Sequence, residues 1–324
     1  MKKILGMGNA LVDIMIPIDN EQVLGSLGLP KGSMQLVDKD RSNTVLQAMK
    51  DYKKSHSAGG SAANTIHGLA MMGAPTGYIG VVGEDELGGF FVRDLIHAGV
   101  DPHLIHSDQE TGRAIALVTP DSERTFATFL GAAIELSESI VEHHASLFSG
   151  YSIFHIEGYL VQNHDLIRKA VQVARDNGLT ISIDLASYNV VEANRDFLLE
   201  IIGGYADIVF ANEDEARALT GKEPEEALDA IAEMVSIAVV KTGGQGSLVK
   251  SAGERIAIGV IEVTPVDTTG AGDLYASGFL YGFSLGFPLQ RCGELGALLA
   301  GNVIEFIGSK MPEERWLAIR GEIG

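Results

Sequence analysis

The stretch DTTGAGD runs from Asp267 to Asp273 and is followed by LYASGFLYGF, an apolar segment whose character predicts a helix. Gly270, Ala271 and Gly272 place backbone N–H groups, with little side-chain obstruction, at the start of that helix. Unpaired N–H groups and the helix dipole favour an anion at such a position. The alternative is a simple glycine turn capped by Asp273. Two glycines cost conformational entropy in a plain cap, which favours the anion site.

Outward from this loop, strand-like and helix-like segments alternate along the chain. The strand-like segments are continuous apolar runs, namely KKILGMG, TGYIGVVG, YSIFHIEGYL, LTISIDL, ADIVFAN and SIAVVKTG. The segments with helical spacing are SAANTIHGLAMMG, ELGGFFVRDLIHAG, HDLIRKAVQVARDNG, DFLLEIIGGY and EDEARALTG. Continuous apolar strands are typical of sheets that helices cover on both faces. The sequence therefore predicts an α/β fold with a three-layer α/β/α core around a mainly parallel sheet.

Two regions interrupt this alternation. Residues 14–56 are rich in turn residues and poorly periodic, and residues 109–130 contain TGRAIALVTP-DSE-RTFATFL, which predicts a hairpin with a charged turn. These two pieces are predicted to pair as a small separate β-sheet that forms a lid at the edge of the large domain. The core then consists of residues 1–13, 57–108 and 131–324.

Bulk composition restricts the classes of partner. The chain has 324 residues and a formal net charge of -19, which disfavours nucleic acid and acidic membrane surfaces. The single cysteine, Cys292, excludes an intrachain disulfide and has no metal-ligand spacing around it, so we expect a cytoplasmic protein. The apolar N-terminal run is short and interrupted by Asp13, which indicates a first strand rather than a signal peptide. No run approaches the ~18 apolar residues of a membrane-spanning helix.

Other catalytic patterns fail. The segment GMGNAL, from Gly6 to Leu11, begins like a dinucleotide fingerprint, but leucine stands where the third glycine belongs. An NAD-dependent enzyme is therefore a weak alternative. The chain contains no GxxxxGK[ST] or HExxH pattern.

Two segments carry a family resemblance. DTTGAGDLYASGFL resembles the C-terminal signature of the ribokinase-like (PfkB) family of carbohydrate and nucleoside kinases, and residues 58–88, AGGSAANTIHGLAMMGAPTGYIGVVGEDELG, resemble its N-terminal signature. Two long signatures in the right order are highly specific, and the likeness covers nearly the whole chain. The resemblance implies an α/β core with an ATP site and the catalytic loop, a small β lid over the substrate, and ATP-dependent phosphoryl transfer to a hydroxymethyl group.

Within the loop, the resemblance implies that Asp273 is the catalytic base and that Gly270, Ala271 and Gly272 form the anion hole. A primary hydroxyl is a weak nucleophile, so a carboxylate must accept its proton as the bond to phosphorus forms. The neighbouring N–H groups would hold the charge on the transferring phosphoryl oxygens. Adjacent residues satisfy the need for base and oxyanion donors to lie close together.

Two further segments resemble the nucleotide side of the family's site. Asn212 and Glu215 follow the strand ADIVFA and match an NxxE motif that organises Mg²⁺ and its waters, so the resemblance implies that Glu215 binds Mg²⁺ through water. The alternative is a helix start resembling a capping box. Thr242, Gly244 and Gly246 match a nucleotide loop, for which an ordinary hairpin turn is the alternative.

The late part of the chain carries the remaining nucleotide-side residues. Ala297 and Ala300 belong to a small-residue stripe on a late helix, which in the family borders the adenine of ATP. Close helix packing explains such a stripe equally well. The resemblance also assigns Thr269 to nucleotide binding and implies a monovalent cation, such as K⁺, near Asp267.

The resemblance implies a substrate side as well. Asp13 in an apolar strand is costly unless it is paired, and in the family an Asp here binds sugar hydroxyls. Gly59 and Gly60 would let the backbone approach the substrate, and Asn64 supplies an amide that donates and accepts. Ser61 is adjacent. The alternatives are a strand-end cap for Asp13 and a helix-face amide for Asn64.

Several segments together look most like the adenosine kinase branch of the family. The spacing from Asn9 to Asp13 matches a GNxxxD pattern in which the first residue faces the base and the second the ribose. Gln35 aligns with a glutamine near the lid. Arg124, in the lid turn, would close over the phosphates; its alternative is a solvated hairpin charge.

The acceptor stays open between nucleoside and sugar. The same signatures serve ribokinase, fructokinase and 2-keto-3-deoxygluconate kinase, so a sugar kinase is the alternative. A flat base needs an apolar slot, which Met34, Leu36, Phe126 and Phe129 of the lid would supply. A kinase-like binding protein without turnover is a further alternative, against which the intact Asp273 argues. Two copies of the chain would pair through the lid.

Overall fold

A computed structural model describes residues 1–121, 123–185 and 187–323. In chain order, its strands are β1 (Ile4–Met7), β2 (Leu11–Pro17), β3 (Met34–Leu36), β4 (Ser55–Gly59), β5 (Thr76–Gly83), β6 (Val100–Ser107), β7 (Gly112–Val118), β8 (Arg124–Phe129), β9 (Ile153–Glu157), β10 (Thr180–Asp184), β11 (Ile208–Asn212), β12 (Ile237–Lys241), β13 (Ser247–Ser251) and β14 (Glu254–Ile258). Its helices are α1 (Gln22–Ser26), α2 (Lys39–Ala48), α3 (Ser61–Met71), α4 (Glu86–Ala98), α5 (Glu138–His143), α6 (Ala145–Phe148), α7 (His164–Asp176), α8 (Tyr188–Ala193), α9 (Arg195–Tyr205), α10 (Glu213–Thr220), α11 (Pro224–Ala232), α12 (Ala271–Leu285), α13 (Leu289–Val303) and α14 (Glu313–Ile323).

The larger sheet explains the continuous apolar strands. Within the described residues it has nine strands in the order β14-β13-β12-β11-β10-β9-β1-β5-β6. The pairs from β6 to β12 are parallel, and β13 and β14 add an antiparallel edge. Helices α7, α9, α10 and α11 bury their apolar residues on one face, and α3, α4, α12 and α13 bury theirs on the other. The predicted three-layer core with a mainly parallel sheet is confirmed.

The smaller sheet has five strands in the described part of the chain, in the order β3-β8-β7-β2-β4. Helices α1 and α2 pack on it around a separate apolar cluster that includes Ile16, Val45 and Leu117. The predicted hairpin is present as the antiparallel pair β7 and β8, and its turn residue Ser122 lies outside the described residues.

The chain enters the small sheet earlier than the sequence indicated. Strand β1 ends at Met7 and β2 begins at Leu11, so Asp13 does not end the first strand but lies inside β2. There it pairs with Ser57 of β4 and with Ala114 of β7. Residues 11–13 and 57–59, which were predicted for the core, therefore contribute strands to the small sheet. The link between the two sheets is only residues 8–10, and Gly8 and Asn9 are the turn residues that mark it.

The length and apolar character of the helices bear on whether the chain could cross a membrane. In the part of the chain that the structure describes, none of them combines the length and the apolar character that a bilayer-spanning helix needs.

Candidate active site

A cavity of about 660 Å³ lies between the small sheet and the carboxyl ends of the parallel strands. Ligands in open α/β sheets bind at this end of the strands. Of the predicted site residues, those that line the cavity are Asn9, Asp13, Gly60, Ser61, Asn64, Arg124, Asn212, Glu215, Gly270, Ala271, Gly272 and Asp273. The cavity therefore collects predicted residues from both signatures and from the small sheet.

The carboxylate of Asp273 is held from two sides. Helix α12 begins after Gly270, which has a φ of 74°, and Asp273 is the third residue of the helix rather than its cap. Its Oδ1 accepts a hydrogen bond from the Ser61 hydroxyl at 2.8 Å, and its Oδ2 accepts one from the Asn64 amide at 2.9 Å. The Asn64 carbonyl in turn accepts from the Ser309 hydroxyl at 2.9 Å. Asn64 and Ser61 thus orient Asp273.

Burial raises the pKa of Asp273 to about 6, and the nearby negative charge of Asp184 adds to the rise. The hydrogen bonds from Asn64 and Ser61 and the charge of Lys241 oppose it. A carboxyl group with this pKa is ionised at neutral pH and accepts a proton more readily than an exposed aspartate. Both properties suit a general base.

Steric contacts and backbone conformation explain why glycine occupies position 270 of the loop. A Cβ on Gly270 would lie 2.7 Å from the Cβ of Ser309, and Gly270 already has a left-handed φ. The N–H groups in the first turn of a helix have no intrahelical acceptor, so those of α12 face the cavity with a partial positive charge. Ala271 is the exception, because its N–H donates to the Thr268 carbonyl at 3.2 Å. The loop can hold an anion beside the Asp273 carboxylate.

Glu157, at the end of β9, lies beneath the site and was missed by sequence reasoning. Its Oε1 accepts from the backbone N–H of Asn9 at 3.0 Å and from the Asn9 side-chain amide at 2.8 Å, and its Oε2 accepts from the Ala62 N–H at 2.8 Å. Burial raises its pKa to about 7 despite these three donors. Asn9 lines the cavity, and one N–H of its side-chain amide donates to Glu157.

Asp13 projects into the cavity from the small sheet. Burial raises its pKa to about 7, the charge of Lys310 lowers it, and the charge of Asp273 raises it further. A Cβ on Gly59 would lie 2.3 Å from the Asp13 carboxyl carbon. Gly59 is therefore needed for the Asp13 side chain to fit, and it does not itself line the cavity, although the sequence assigned it to substrate approach.

Gly60 is required for a different reason. Its φ is 101°, and a Cβ there would lie 2.2 Å from the backbone oxygen of Asn9, which cannot move without displacing the chain. We expect Gly60→Ala to lower the free energy of unfolding by about 3 kcal/mol or more, because backbone strain and collision both contribute. Urea denaturation measures this loss.

Gly73 offers the matched control for this prediction. It follows the other end of α3 with a φ of 89°, but a Cβ there meets nothing within 4 Å. Gly73→Ala should therefore show only the strain of the left-handed backbone, about 1–2 kcal/mol. Equal losses in the two variants would contradict the collision argument.

Asn212 and Glu215 form a complete capping box at the start of α10. The side-chain Oδ1 of Asn212 accepts a hydrogen bond from the Glu215 backbone N–H at 2.8 Å. The Glu215 carboxylate in turn accepts from the backbone and side-chain N–H groups of Asn212, both at 2.7 Å. Burial raises the pKa of Glu215. Both residues also line the cavity, so the capping geometry and exposure to a ligand occur together.

Lys241 and Asp184 form a buried ion pair beside this box, at 2.9 Å. They end β12 and β10, and sequence reasoning assigned no role to either. A signal was available, because both are charged residues at the carboxyl ends of apolar strands that flank β11, which ends at Asn212. The same signal applies to Glu157 at the end of β9.

The other predicted nucleotide residues lie outside the cavity lining. Thr242 donates its hydroxyl to the Gly246 carbonyl at 3.0 Å across the β12–β13 turn, and Gly243, rather than Gly244, lines the cavity. Gly246 has a φ of 97°, and a Cβ there would lie 2.0 Å from the Ile258 oxygen. The hairpin turn thus accounts for these residues by itself.

The small-residue stripe on α13 serves packing. Ala297 and Ala300 are half-buried against the core and do not line the cavity. A Cβ on Gly296 would lie 2.9 Å from the backbone oxygen of Tyr275 on α12. The stripe therefore permits the close approach of the two helices.

Arg124, at the start of β8, ties the small sheet to the catalytic loop. Its Nε lies 3.0 Å from Asp267 Oδ1, and its other nitrogens donate to the hydroxyls of Thr268 and Thr269. It is not a solvated hairpin charge. The N–H groups of Thr269 and Gly308 also donate to Asp267. Both oxygens of Asp267 thus accept hydrogen bonds from the protein, and the monovalent cation near Asp267, such as K⁺, stays a prediction.

The small sheet contributes apolar residues to the cavity wall in addition to Asp13, Arg124 and Thr128. Met34, Leu36 and Phe126 line the cavity, as predicted for the slot. Gln35 does not, because side chains alternate along β3 and it takes the opposite direction to its neighbours, where it is exposed. Phe129 is also absent from this lining and lies under the guanidinium of Arg113, at 4.9 Å.

The residues present fit a magnesium nucleotide. Backbone N–H groups of α12 and the ammonium of Lys241 suit phosphate oxygens, and the carboxylates of Asp184 and Glu215 suit Mg²⁺. In the described residues no group of three or more His, Cys, Asp or Glu side chains is placed to hold a metal ion. Mg²⁺ usually takes only one or two carboxylates together with substrate phosphates.

Comparisons with known proteins identify the family of the chain. The family model for the pfkB family carbohydrate kinase matches residues 33–315. The crystal structure of a probable sugar kinase from Rhizobium etli CFN 42 is 34% identical, covers 100% of this chain and 99% of that chain, and has a TM-score of 0.91. Adenosine kinase from Sinorhizobium meliloti is 35% identical, with 99% of each chain covered and a TM-score of 0.90. Adenosine kinase from Saccharomyces cerevisiae is 27% identical over 95% of this chain and 96% of its own length.

The fold and the site define a phosphotransferase that uses an alcohol group as acceptor. The chain belongs to the pfkB family of carbohydrate kinases. The family uses ATP as the phosphate donor. The relatives named adenosine kinase confirm the predicted resemblance to that branch.

Proposed function

We propose that this chain transfers the γ-phosphoryl group of ATP to a primary hydroxyl of a nucleoside, with adenosine as the acceptor. The observation that carries the proposal is the Asp273 carboxylate, which is buried, held by Ser61 and Asn64, and adjacent to the helix N-terminus that begins after Gly270. A general base and an anion site are thereby joined in one turn of helix.

The residues divide the chemistry between them. Asp273 accepts the proton of the attacking hydroxyl, and its fixed orientation removes the cost of aligning it in each turnover. The first-turn N–H groups at Gly272 and Asp273 stabilise negative charge on the phosphoryl oxygens. Bound ATP with Mg²⁺ supplies the phosphoryl group and neutralises part of its charge. Asn212 and Glu215 would hold the metal and its waters.

The small sheet would act as a lid. Arg124 connects the small sheet to the loop that carries Asp273. The apolar residues of the small sheet face the cavity from the side opposite the ends of the core strands. The division into core and lid, a homodimer through the lid and a cytoplasmic location all stay predictions.

Adenosine is favoured by the cavity wall and by the relatives. Met34, Leu36 and Phe126 offer an apolar surface to a flat base, whereas Asp13 offers a carboxylate to ribose hydroxyls. Relatives named adenosine kinase are similar to this chain over nearly its whole length. The sugar-kinase alternative is supported by the probable sugar kinase of Rhizobium etli, which is equally similar in fold.

An acceptor screen tests the proposal. ADP production with Mg-ATP would be compared for adenosine, inosine, ribose, fructose and 2-keto-3-deoxygluconate. We expect adenosine to give the highest kcat/KM. A higher kcat/KM for any of the sugars would establish the sugar-kinase alternative, and no ADP production with any acceptor would contradict a kinase with these substrates.

The pH dependence follows from Asp273. Its pKa of about 6 lies above its ordinary value, so the base is protonated, and inactive, at pH values where an exposed aspartate would still be ionised. We expect kcat/KM to fall about tenfold for each pH unit below pH ~6. A profile from pH 5 to 8, with thermal unfolding followed at each pH, measures this. A flat profile in a protein that remains folded would contradict the role.

A further inference from the structure

Lys241 is a buried cation to which the proposed phosphoryl transfer assigns no step. It ends β12, lines the cavity, and donates from Nζ to Asp184 Oδ2 at 2.9 Å. The side chains of Lys241 and Asp184 are 14% and 6% exposed. Although burial lowers the pKa of Lys241, the charges of Asp184 and Glu215 outweigh it and raise the pKa overall. The ammonium therefore stays charged.

The position of this ammonium is specific. A Cβ on Gly272 would lie 3.0 Å from Nζ, so the ammonium abuts the first turn of α12, where the anion site is. It also sits among the charges of Asp184, Glu215 and Asp273. Around this ammonium one cation faces three carboxylates, and a phosphate chain bound there is stabilised by direct contact with the cation as well as by Mg²⁺.

A lysine ammonium has three N–H donors, and the bond to Asp184 uses one of them. A purely structural role is a weak explanation for the pair, because buried ion pairs contribute little net stability after desolvation. Compact ammonium groups bind phosphate oxygens as point charges.

We propose that Lys241 is a catalytic residue that donates to the oxygens of the transferring γ-phosphoryl group, with Asp184 holding its ammonium in place. The inference rests on the proposed phosphoryl transfer. It assigns to Lys241 a contact that ATP offers and ADP lacks, so nucleotide binding alone can test it.

The experiment is calorimetric titration of Lys241→Met with ATP and with ADP, in the presence of Mg²⁺ and without acceptor. We expect the Kd of ATP to rise about tenfold or more, as loss of a hydrogen bond to a charged group predicts, and the Kd of ADP to change by less than about threefold. Lys250→Met is the matched control, because Lys250 lies on the neighbouring strand β13, pairs with Asp229 of α11 and does not line the cavity. The control should bind both nucleotides as the wild type does.

The single variant leaves Asp184 without its cation and can fail to fold. The double variant Lys241→Met/Asp184→Asn removes both charges, and at saturating Mg²⁺ we expect it to fold and to show the same loss of ATP affinity relative to Asp184→Asn alone. Retained wild-type preference for ATP over ADP in the folded variant, or equal loss for both nucleotides, would overturn the assignment of Lys241 alone. Failure of the wild-type protein to bind either nucleotide would overturn the proposed function as well.

Discussion

Asp273→Asn is expected to lower kcat by roughly 10²-fold or more, because an amide cannot accept the proton of the attacking hydroxyl. The Kd of ATP should change little, since the anion-binding N–H groups belong to the backbone. The measurement is steady-state turnover of Mg-ATP with the best acceptor from the screen, together with calorimetric binding of ATP.

The substitution should not unfold the protein. Asparagine has the shape of aspartate, and the Ser61 hydroxyl can rotate to accept a hydrogen bond from the new amide. Since burial raises the pKa of Asp273, the ionised group is disfavoured in the folded state above pH ~6, and removing the charge relieves that cost. Asp196→Asn, at an exposed position on α9, controls for loss of one negative charge. Near-normal turnover in Asp273→Asn would remove Asp273 as the base.

The position of the proposed base beside its loop was predictable from sequence because the two are local. DTTGAGD places the carboxylate and the helix N-terminus within one turn, so no tertiary information is needed to join them. Likewise, the continuous apolar strands predict a sheet covered on both faces, because that pattern depends only on burial. The signatures then indicated which other segments to expect around the loop.

Partners that depend on long-range packing were not predictable in the same way. Gly59 and Gly60 were assigned to substrate approach, but what approaches them most closely is the protein itself, through the Asp13 carboxyl and the Asn9 carbonyl. A sequence shows that a glycine is present and does not show which atom requires it. The role of Glu157 was not predictable for the same reason, since its three hydrogen-bond donors come from residues distant in the chain.

Side-chain direction was the other obstacle. A shift of one residue along a strand turns a side chain to the opposite face. The prediction that Gln35 faces the substrate therefore depended on the register of β3, and a strand of three residues is too short for its sequence pattern to show that register. The structure places Met34 and Leu36 on the cavity wall instead. Arg124 shows the reverse case: its two alternatives were phosphate contact and solvation, and it pairs with Asp267.

Asp13→Asn is expected to lower kcat/KM for the acceptor by about 100-fold, while the Kd of ATP is unchanged. A hydrogen bond to a charged group contributes roughly 1.5–3 kcal/mol, and a carboxylate can accept from two neighbouring hydroxyls. Asparagine keeps the shape that Gly59 accommodates, so the fold should persist. Asp19→Asn, exposed just beyond the end of β2, is the matched control and should leave kcat/KM unaltered.

Deoxynucleosides test the same interaction by a change in the substrate, because each lacks one of the ribose hydroxyls proposed to bind Asp13. Wild-type enzyme should lose kcat/KM on changing from adenosine to 2′-deoxyadenosine or 3′-deoxyadenosine, because a buried carboxylate is then left without its donor. In Asp13→Asn the same change should cost far less, because the interaction is already weakened. Two interacting groups give such non-additive losses, whereas independent ones give additive losses. Additive losses for both deoxynucleosides would show that Asp13 acts on the site through its packing in the small sheet and not through the ribose hydroxyls.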